Sequence, residues 1–107
     1  VYTVATDYII GREPSDDPAV ARGATGLAID DADRTVSRVH AELRIEGWDL
    51  YVLDRGSSNG TFLLHPHETS RERVGPEPMY VPPGAMLQLG QRTLSFEPYH
   101  QTPAARL

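Results

Sequence analysis

Ser37-Arg38-Val39-His40-Ala41-Glu42-Leu43-Arg44-Ile45-Glu46, closed by Gly47-Trp48 and followed by Leu50-Tyr51-Val52-Leu53, carries the clearest structural signal in the chain. From Ala41 to Glu46 apolar and charged residues alternate with period two. That is the pattern of a strand with one face buried and the other in water. Gly47-Trp48 reads as a turn, with Trp48 either packed at the hairpin end or exposed as an interface anchor. The apolar run from 50 to 53 reads as the return strand of a hairpin.

Working outward, the same short blocks recur. Tyr8-Ile9-Ile10 reads as a strand ending at Gly11-Arg12, and Leu27-Ala28-Ile29 as a very short one. Thr61 to Leu64, Met79 to Val81, Met86 to Leu89 and Thr93 to Glu97 complete the set. Turn chemistry separates them: Asp54-Arg55-Gly56-Ser57-Ser58-Asn59-Gly60, then Pro82-Pro83-Gly84, then Gly90. Residues 13–26 and 65–78 read as two long loops, and no stretch has a helical period. Many short strands with turns between them predict an all-β sandwich. One domain is expected over 1–98, with a tail or linker over 99–107.

Composition narrows the function. A net charge of −5 disfavours bulk nucleic-acid binding, which needs a positive field. Cysteine is absent, which excludes a disulfide scaffold and thiol chemistry. No apolar run approaches the roughly 18 residues of a membrane span. With no signal peptide visible, a cytoplasmic setting is the expectation. His65 and His67 lack a third ligand, and Asp30, Asp31 and Asp33 lack a calcium-loop pattern, so no metal is expected. His40 near Ser37 does not form a nucleophile elbow, and no third group completes a triad. No catalytic residue and no cofactor are therefore assigned.

Four polar clusters interrupt the strands: Gly11-Arg12, Ser37-Arg38 with His40, Ser57-Ser58-Asn59-Gly60, and Leu89-Gly90. The first three sit at strand ends, where sandwich loops gather. Arg12 and Arg38 can offer a guanidinium fork to a phosphate, and the hydroxyls of Ser37 and Ser58 can donate to its other oxygens. An unphosphorylated hydroxyl would gain none of this, so such a site works as a switchable reader without chemistry of its own.

In this order, Gly11-Arg12, Ser37-Arg38-Val39-His40, Asp54 through Ser58-Asn59-Gly60-Thr61, and Leu87-Gln88-Leu89-Gly90 resemble the signature of the forkhead-associated (FHA) domain, over roughly residues 8–97. The resemblance implies a twisted β-sandwich of about eleven strands and a non-enzymatic module that recognises phosphothreonine. Arg12 would grip the phosphate, Ser37 and Ser58 would hydrogen-bond it, and Arg38 would add a second contact. Asn59 would hold the backbone of the bound peptide. Gly11, His40, Gly60 and Thr61 would support the site structurally. The implied partners are a phosphothreonine protein or peptide and a Ser/Thr kinase that prepares it, with no nucleic acid and no membrane contact. The alternative is a phospho-independent structural or interaction module of a larger protein.

The chain departs from the family in three places. Only ten residues precede Arg12's Gly-Arg motif by the end of the first apolar stretch at Ile10, so the first strand would be missing, supplied elsewhere in the parent protein, or contributed by a neighbouring chain. This leaves a monomer or a strand-swapped dimer. The segment between Arg12 and Ser37 is longer than is usual. His65-Pro66-His67-Glu68 and a long insert replace the family's Asn-Gly after the Thr61 strand, a change expected to alter a hairpin distant from the phosphate site.

Overall fold

A computed structural model describes residues 2–30 and 34–98 of the 107-residue chain. Two five-stranded sheets form the described part. The first has the order β1 (Tyr2–Val4), β10 (Arg92–Pro98), β9 (Met86–Leu89), β6 (Thr61–Leu64), β7 (Arg71–Val74). The second runs β3 (Thr25–Ala28), β2 (Tyr8–Gly11), β4 (Ala41–Glu46), β5 (Asp49–Asp54), β8 (Met79–Val81). The sandwich expected from the turn-separated apolar blocks is borne out, with ten strands among the described residues rather than about eleven.

The period-two alternation of β4 does what the sequence requires. Ala41 and Leu43 face inward and are fully buried, while Glu42 and Arg44 stay partly in water. Their opposite numbers on β5, β6 and β9 are Val52, Leu63, Leu87 and Leu89, all buried in the same cluster with Val4, Ile10 and Phe96. Burying each such side chain contributes about 1.5–3 kcal/mol, and this inter-sheet layer is the main stabiliser of the fold. Trp48 lies at the β4–β5 turn, 56% exposed, at the end of the hairpin away from Asp54.

Four sequence expectations are corrected. The first strand is neither missing nor borrowed: β1 pairs in parallel with β10 of the same chain, Tyr2 opposite Phe96 and Val4 opposite Pro98. The loop over 13–26 contains a 3-10 turn (Pro14–Asp16) and a one-turn helix α1 (Pro18–Ala21), and β3 begins inside it at Thr25. Pro18 presets the helical backbone and Asp17 caps it, accepting from the Ala19 N–H at 3.1 Å. A single turn is too short to show a period. Third, β3 pairs in parallel with β2 from residue 25, two residues earlier than the apolar run suggests. Fourth, the loop over 65–78 contains β7, paired antiparallel to β6.

The longer segment after Arg12 has a structural role. Ile9 points away from Ile10, yet it too is fully buried. It shares a cleft of about 620 Å³ with Ala19, Arg22, Gly23 and Ala24 of the insert and with Asp7, Glu42 and Arg44. The insert therefore covers an apolar residue that would otherwise lie on the outer sheet face. No described helix is long and apolar enough to cross a membrane. Residues 99–107, read as a tail, lie outside the described residues, as do Asp31 and Asp33.

Candidate functional site

The C-terminal end of β2, the N-terminal end of β4, the C-terminal end of β5 and the start of β6 meet at one end of the sandwich. Gly11 closes β2 against the segment before β4: a Cβ there would be driven into the carbonyl oxygen of Arg38. Glycine is what allows the two backbones to touch. The contact continues as main-chain hydrogen bonds. The Arg12 and Glu13 N–H groups donate to the Ser37 and Arg38 carbonyls, both at 3.0 Å, and the His40 N–H donates to the Ile10 carbonyl at 2.8 Å.

Arg12 is thereby aimed. Its Nε donates to the carbonyl of buried Val36 at 2.6 Å, which fixes the guanidinium plane. Among the described residues its two Nη groups have no partner and only part of the side chain is covered. Ser37 is joined to the neighbouring loop: its hydroxyl oxygen accepts from the Ser58 N–H at 3.0 Å. That leaves the hydroxyl proton of Ser37 free to donate. Ser58 is exposed and reaches Ser37 through its backbone. Asn59 donates through Nδ2 to the Thr35 carbonyl at 2.8 Å, which leaves its amide oxygen available. Arg38 stands apart, 67% exposed and 3.4 Å from the carboxylate of Glu13. An exposed pair of this kind is worth about 0–1 kcal/mol and would yield readily to a stronger anion.

Beneath these groups lies a polar frame that holds the loops. His40 is fully buried. Its Nδ1 accepts from the Ser37 N–H at 3.0 Å, so Nε2 carries the proton and donates to the Gly60 carbonyl at 2.8 Å. Both ring nitrogens are engaged with backbone, which rules out His40 as a base for Ser37. Asp54 is the second post. It accepts from the Gly56 and Ser57 N–H groups at 3.0 and 2.9 Å, from the Ser57 hydroxyl at 2.5 Å, and from the Thr61 hydroxyl at 2.7 Å. Ser57 relays this to the Gly60 N–H at 3.0 Å. Gly60 has φ +85°, a left-handed conformation that disfavours any side chain.

Sequence reasoning missed two supports. Thr35 receives Asn59 on its carbonyl and the Gln91 N–H on its hydroxyl at 3.0 Å. Gly90, at φ +59°, is packed so tightly against Thr35 that a Cβ would collide with it. The Leu89-Gly90 cluster therefore acts through Thr35 on Asn59. The second support is Arg55, which bridges Asp17 at 2.7 Å and Glu42 at 3.0 Å, with Arg44 on the far side of Glu42 at 2.6 Å. This chain of charges fastens the helical insert to the sheet beside the site. A pairing so distant along the chain leaves no local signal. His65 pairs with Glu72 at 2.9 Å, and no cluster of metal-ligating side chains exists among the described residues.

Burial pushes the Asp54 carboxyl up, but the hydrogen bonds from Ser57 and Thr61 outweigh it and hold the group below its usual range. Asp17 behaves alike, burial opposing and Arg55 with the Ala19 N–H prevailing. A carboxyl lowered in the folded state stabilises at pH values above the unfolded value, about 3.9, and that stability is lost as pH falls through the folded value. Thermal melts followed by circular dichroism should therefore show the melting temperature falling steeply below about pH 4. Asp54→Asn should lower it at pH 7 and converge towards the wild type as the pH falls through the folded value. A constant offset at all pH values would remove Asp54 as a source of the acid lability.

Comparisons with known proteins agree with this geometry. The FHA domain family model matches residues 8–90. Glycogen accumulation regulator GarA of Mycolicibacterium smegmatis is 43% identical over 53 residues, covering 50% of this chain and 27% of GarA, so the chain spans about a quarter of that relative. The fold superposes with a TM-score of 0.57 on the FhaA FHA domain complexed with the intracellular domain of Rv3910, at 25% identity, covering 87% of this chain and 81% of that one. An Arabidopsis thaliana FHA domain superposes with a TM-score of 0.62 at 24% identity, covering 96% and 76%. With the family match spanning most of the two sheets, the chain belongs to the FHA domain family, whose members are phosphothreonine-binding recognition modules and not enzymes.

Proposed function

We propose that this domain binds a phosphothreonine-containing segment of a partner protein, through Arg12, Ser37, Arg38 and Ser58 on the phosphate and Asn59 on the peptide backbone. The observation that carries the reading is the state of Arg12. Its Nε is anchored on Val36 while its two Nη groups have no partner among the described residues, and its backbone is bonded to that of Ser37. A guanidinium so oriented is ready for a dianion at little further entropic cost. Arg38, Ser58 and Asn59 are exposed, which suits an extended chain better than a small enclosed ligand.

A reader of this kind depends on a Ser/Thr kinase in the same compartment, and we place that compartment in the cytoplasm of a bacterial cell. The FhaA domain, crystallised with the intracellular domain of another protein, supports a signalling role of this type. The domain would act as a monomer, since β1 completes its sheet within the chain.

The reading is tested on an oriented phosphothreonine peptide library with matched unphosphorylated peptides. Binding is expected only to phosphorylated members, and a phosphoserine exchange should weaken it. Equal capture of both sets by the folded domain would instead support the phospho-independent interaction module.

A further inference from the structure

The outer face of the first sheet carries a cationic edge that the phosphate site does not use. Phe62 on β6 lies opposite Arg73 of β7 and Gln88 of β9. The guanidinium carbon of Arg71 sits 3.9 Å from the centre of the Phe62 ring, and that of Arg73 sits 5.7 Å from it. Arg71 also donates to the Gln88 side-chain oxygen at 3.0 Å. Neither arginine has an acidic partner among the described residues, in a chain whose net charge is −5.

Two guanidinium groups over one ring repel each other, and the ring offsets this only in part. Nothing in the packing of the sheet demands the arrangement, since both side chains are exposed. Its position is informative. A Cβ on Gly60 would lie 3.3 Å from an Nη of Arg73 and 3.2 Å from the Phe62 ring. Glycine at 60 therefore lets Arg73 lie against the loop that carries Asn59. The β6–β7 turn lies at the end away from Thr61, and β7 runs back from it to the site end, where the Gly75 carbonyl accepts from the Asp54 N–H at 2.8 Å.

We propose that Arg73, held on Phe62 and reinforced by Arg71, is a specificity-determining residue that pairs with a side-chain carboxylate of the bound peptide, on the flank that passes Asn59 and Gly60. The inference rests on the phosphopeptide reading of the loop end. Its ligand chemistry is an aspartate or glutamate near the phosphothreonine. The open guanidinium of Arg73 would form charge-assisted hydrogen bonds there, in a setting partly desolvated by the Phe62 ring.

The test compares wild type, Arg73→Gln and Arg12→Ala on a phosphothreonine library degenerate at the flanking positions, followed by titration of a matched Glu and Gln peptide pair. Wild type should favour Asp or Glu at one flank, with the Glu peptide about fivefold tighter. Arg73→Gln should melt as wild type does, keep phosphate dependence and lose the preference, while Arg12→Ala should lose binding to both peptides. Phosphate-dependent binding with no acidic preference in wild type would overturn this inference and leave the phosphopeptide reading standing. Persistence of the preference in Arg73→Gln would overturn it too. Failure of wild type to bind any phosphopeptide would overturn both.

Discussion

Arg12→Ala will weaken phosphothreonine-peptide binding by about a hundredfold or more while changing the melting temperature by only a few degrees. The two halves of this expectation have separate causes. Arg12 is partly exposed, and its contribution to the fold is one hydrogen bond from Nε to the Val36 carbonyl. That carbonyl loses one donor, which costs about 1 kcal/mol. For a phosphate, the loss is the fork itself. Truncating one member of a hydrogen-bonded charge pair costs about 2–5 kcal/mol, and about 2.8 kcal/mol is a hundredfold in affinity. Arg12→Lys separates charge from geometry. It keeps a cation but presents one ammonium where two Nη groups stood, and Nε no longer orients the plane. Its affinity should lie between the two, roughly tenfold below wild type. Calorimetric titration beside a thermal melt checks both halves, and an Arg12→Ala domain that binds as wild type does would exclude Arg12 from the site.

His40→Ala will give the opposite pattern, a loss of fold before any loss of a ligand contact. The imidazole is fully buried and connects the Ser37 N–H to the Gly60 carbonyl. Alanine leaves a cavity, and leaves the buried Gly60 carbonyl and the part-buried Ser37 N–H without their partner. Together these cost about 3–5 kcal/mol. In a domain of this size that lowers the melting temperature by roughly 12–25 °C. The cost falls on the two segments that carry Ser37 and Asn59, so the surviving folded fraction should also bind phosphopeptide weakly. A melting temperature within about 3 °C of wild type would mean that His40 does not brace the loops.

The contrast between these two residues reflects what a sequence can and cannot express. The β4–β5 hairpin, β8 and β9 were legible because their signals are local: a period of two, apolar residues in short runs, and glycine or proline at the ends. Gly60 was legible for the same reason, since Asn-Gly marks a left-handed turn at its own position, whereas the demand on Gly11 comes from the Arg38 backbone packed against it. β7 was not legible. Arg71-Glu72-Arg73-Val74 has a single apolar residue and lies at a sheet edge, so its strand character comes from pairing with Thr61–Leu64, which no window of sequence contains. Arg55 was invisible in the same sense, because its two acidic partners lie 13 and 38 residues away. The first strand looked missing although Tyr2-Thr3-Val4 are good strand formers, because three residues name no partner and theirs is β10, at the other end of the chain.

For the site, the identity of the polar clusters was readable and their division of labour was only partly so. Ser37 and Ser58 were expected to donate their hydroxyls to the phosphate. The Ser58 N–H also donates to the Ser37 hydroxyl oxygen, so the two loops are positioned as one unit while both hydroxyl protons stay free for a ligand. Asn59 was expected to act on a peptide, and it also holds Thr35, which makes Gly90 part of the same assembly. Such dependence favours a preorganised surface, on which little ordering remains when a ligand arrives.

The most direct test is an amide chemical-shift titration of the isotope-labelled domain with a phosphothreonine peptide and with its unphosphorylated twin. The account predicts that the phosphorylated peptide shifts the resonances of Arg12, Ser37, Ser58 and Asn59 first and most, leaves the Trp48 turn at the other end unmoved, and that the twin shifts none of them. Perturbations centred instead on the cleft formed by Ile9, Ala19 and Arg44, or identical shifts with both peptides, would contradict it.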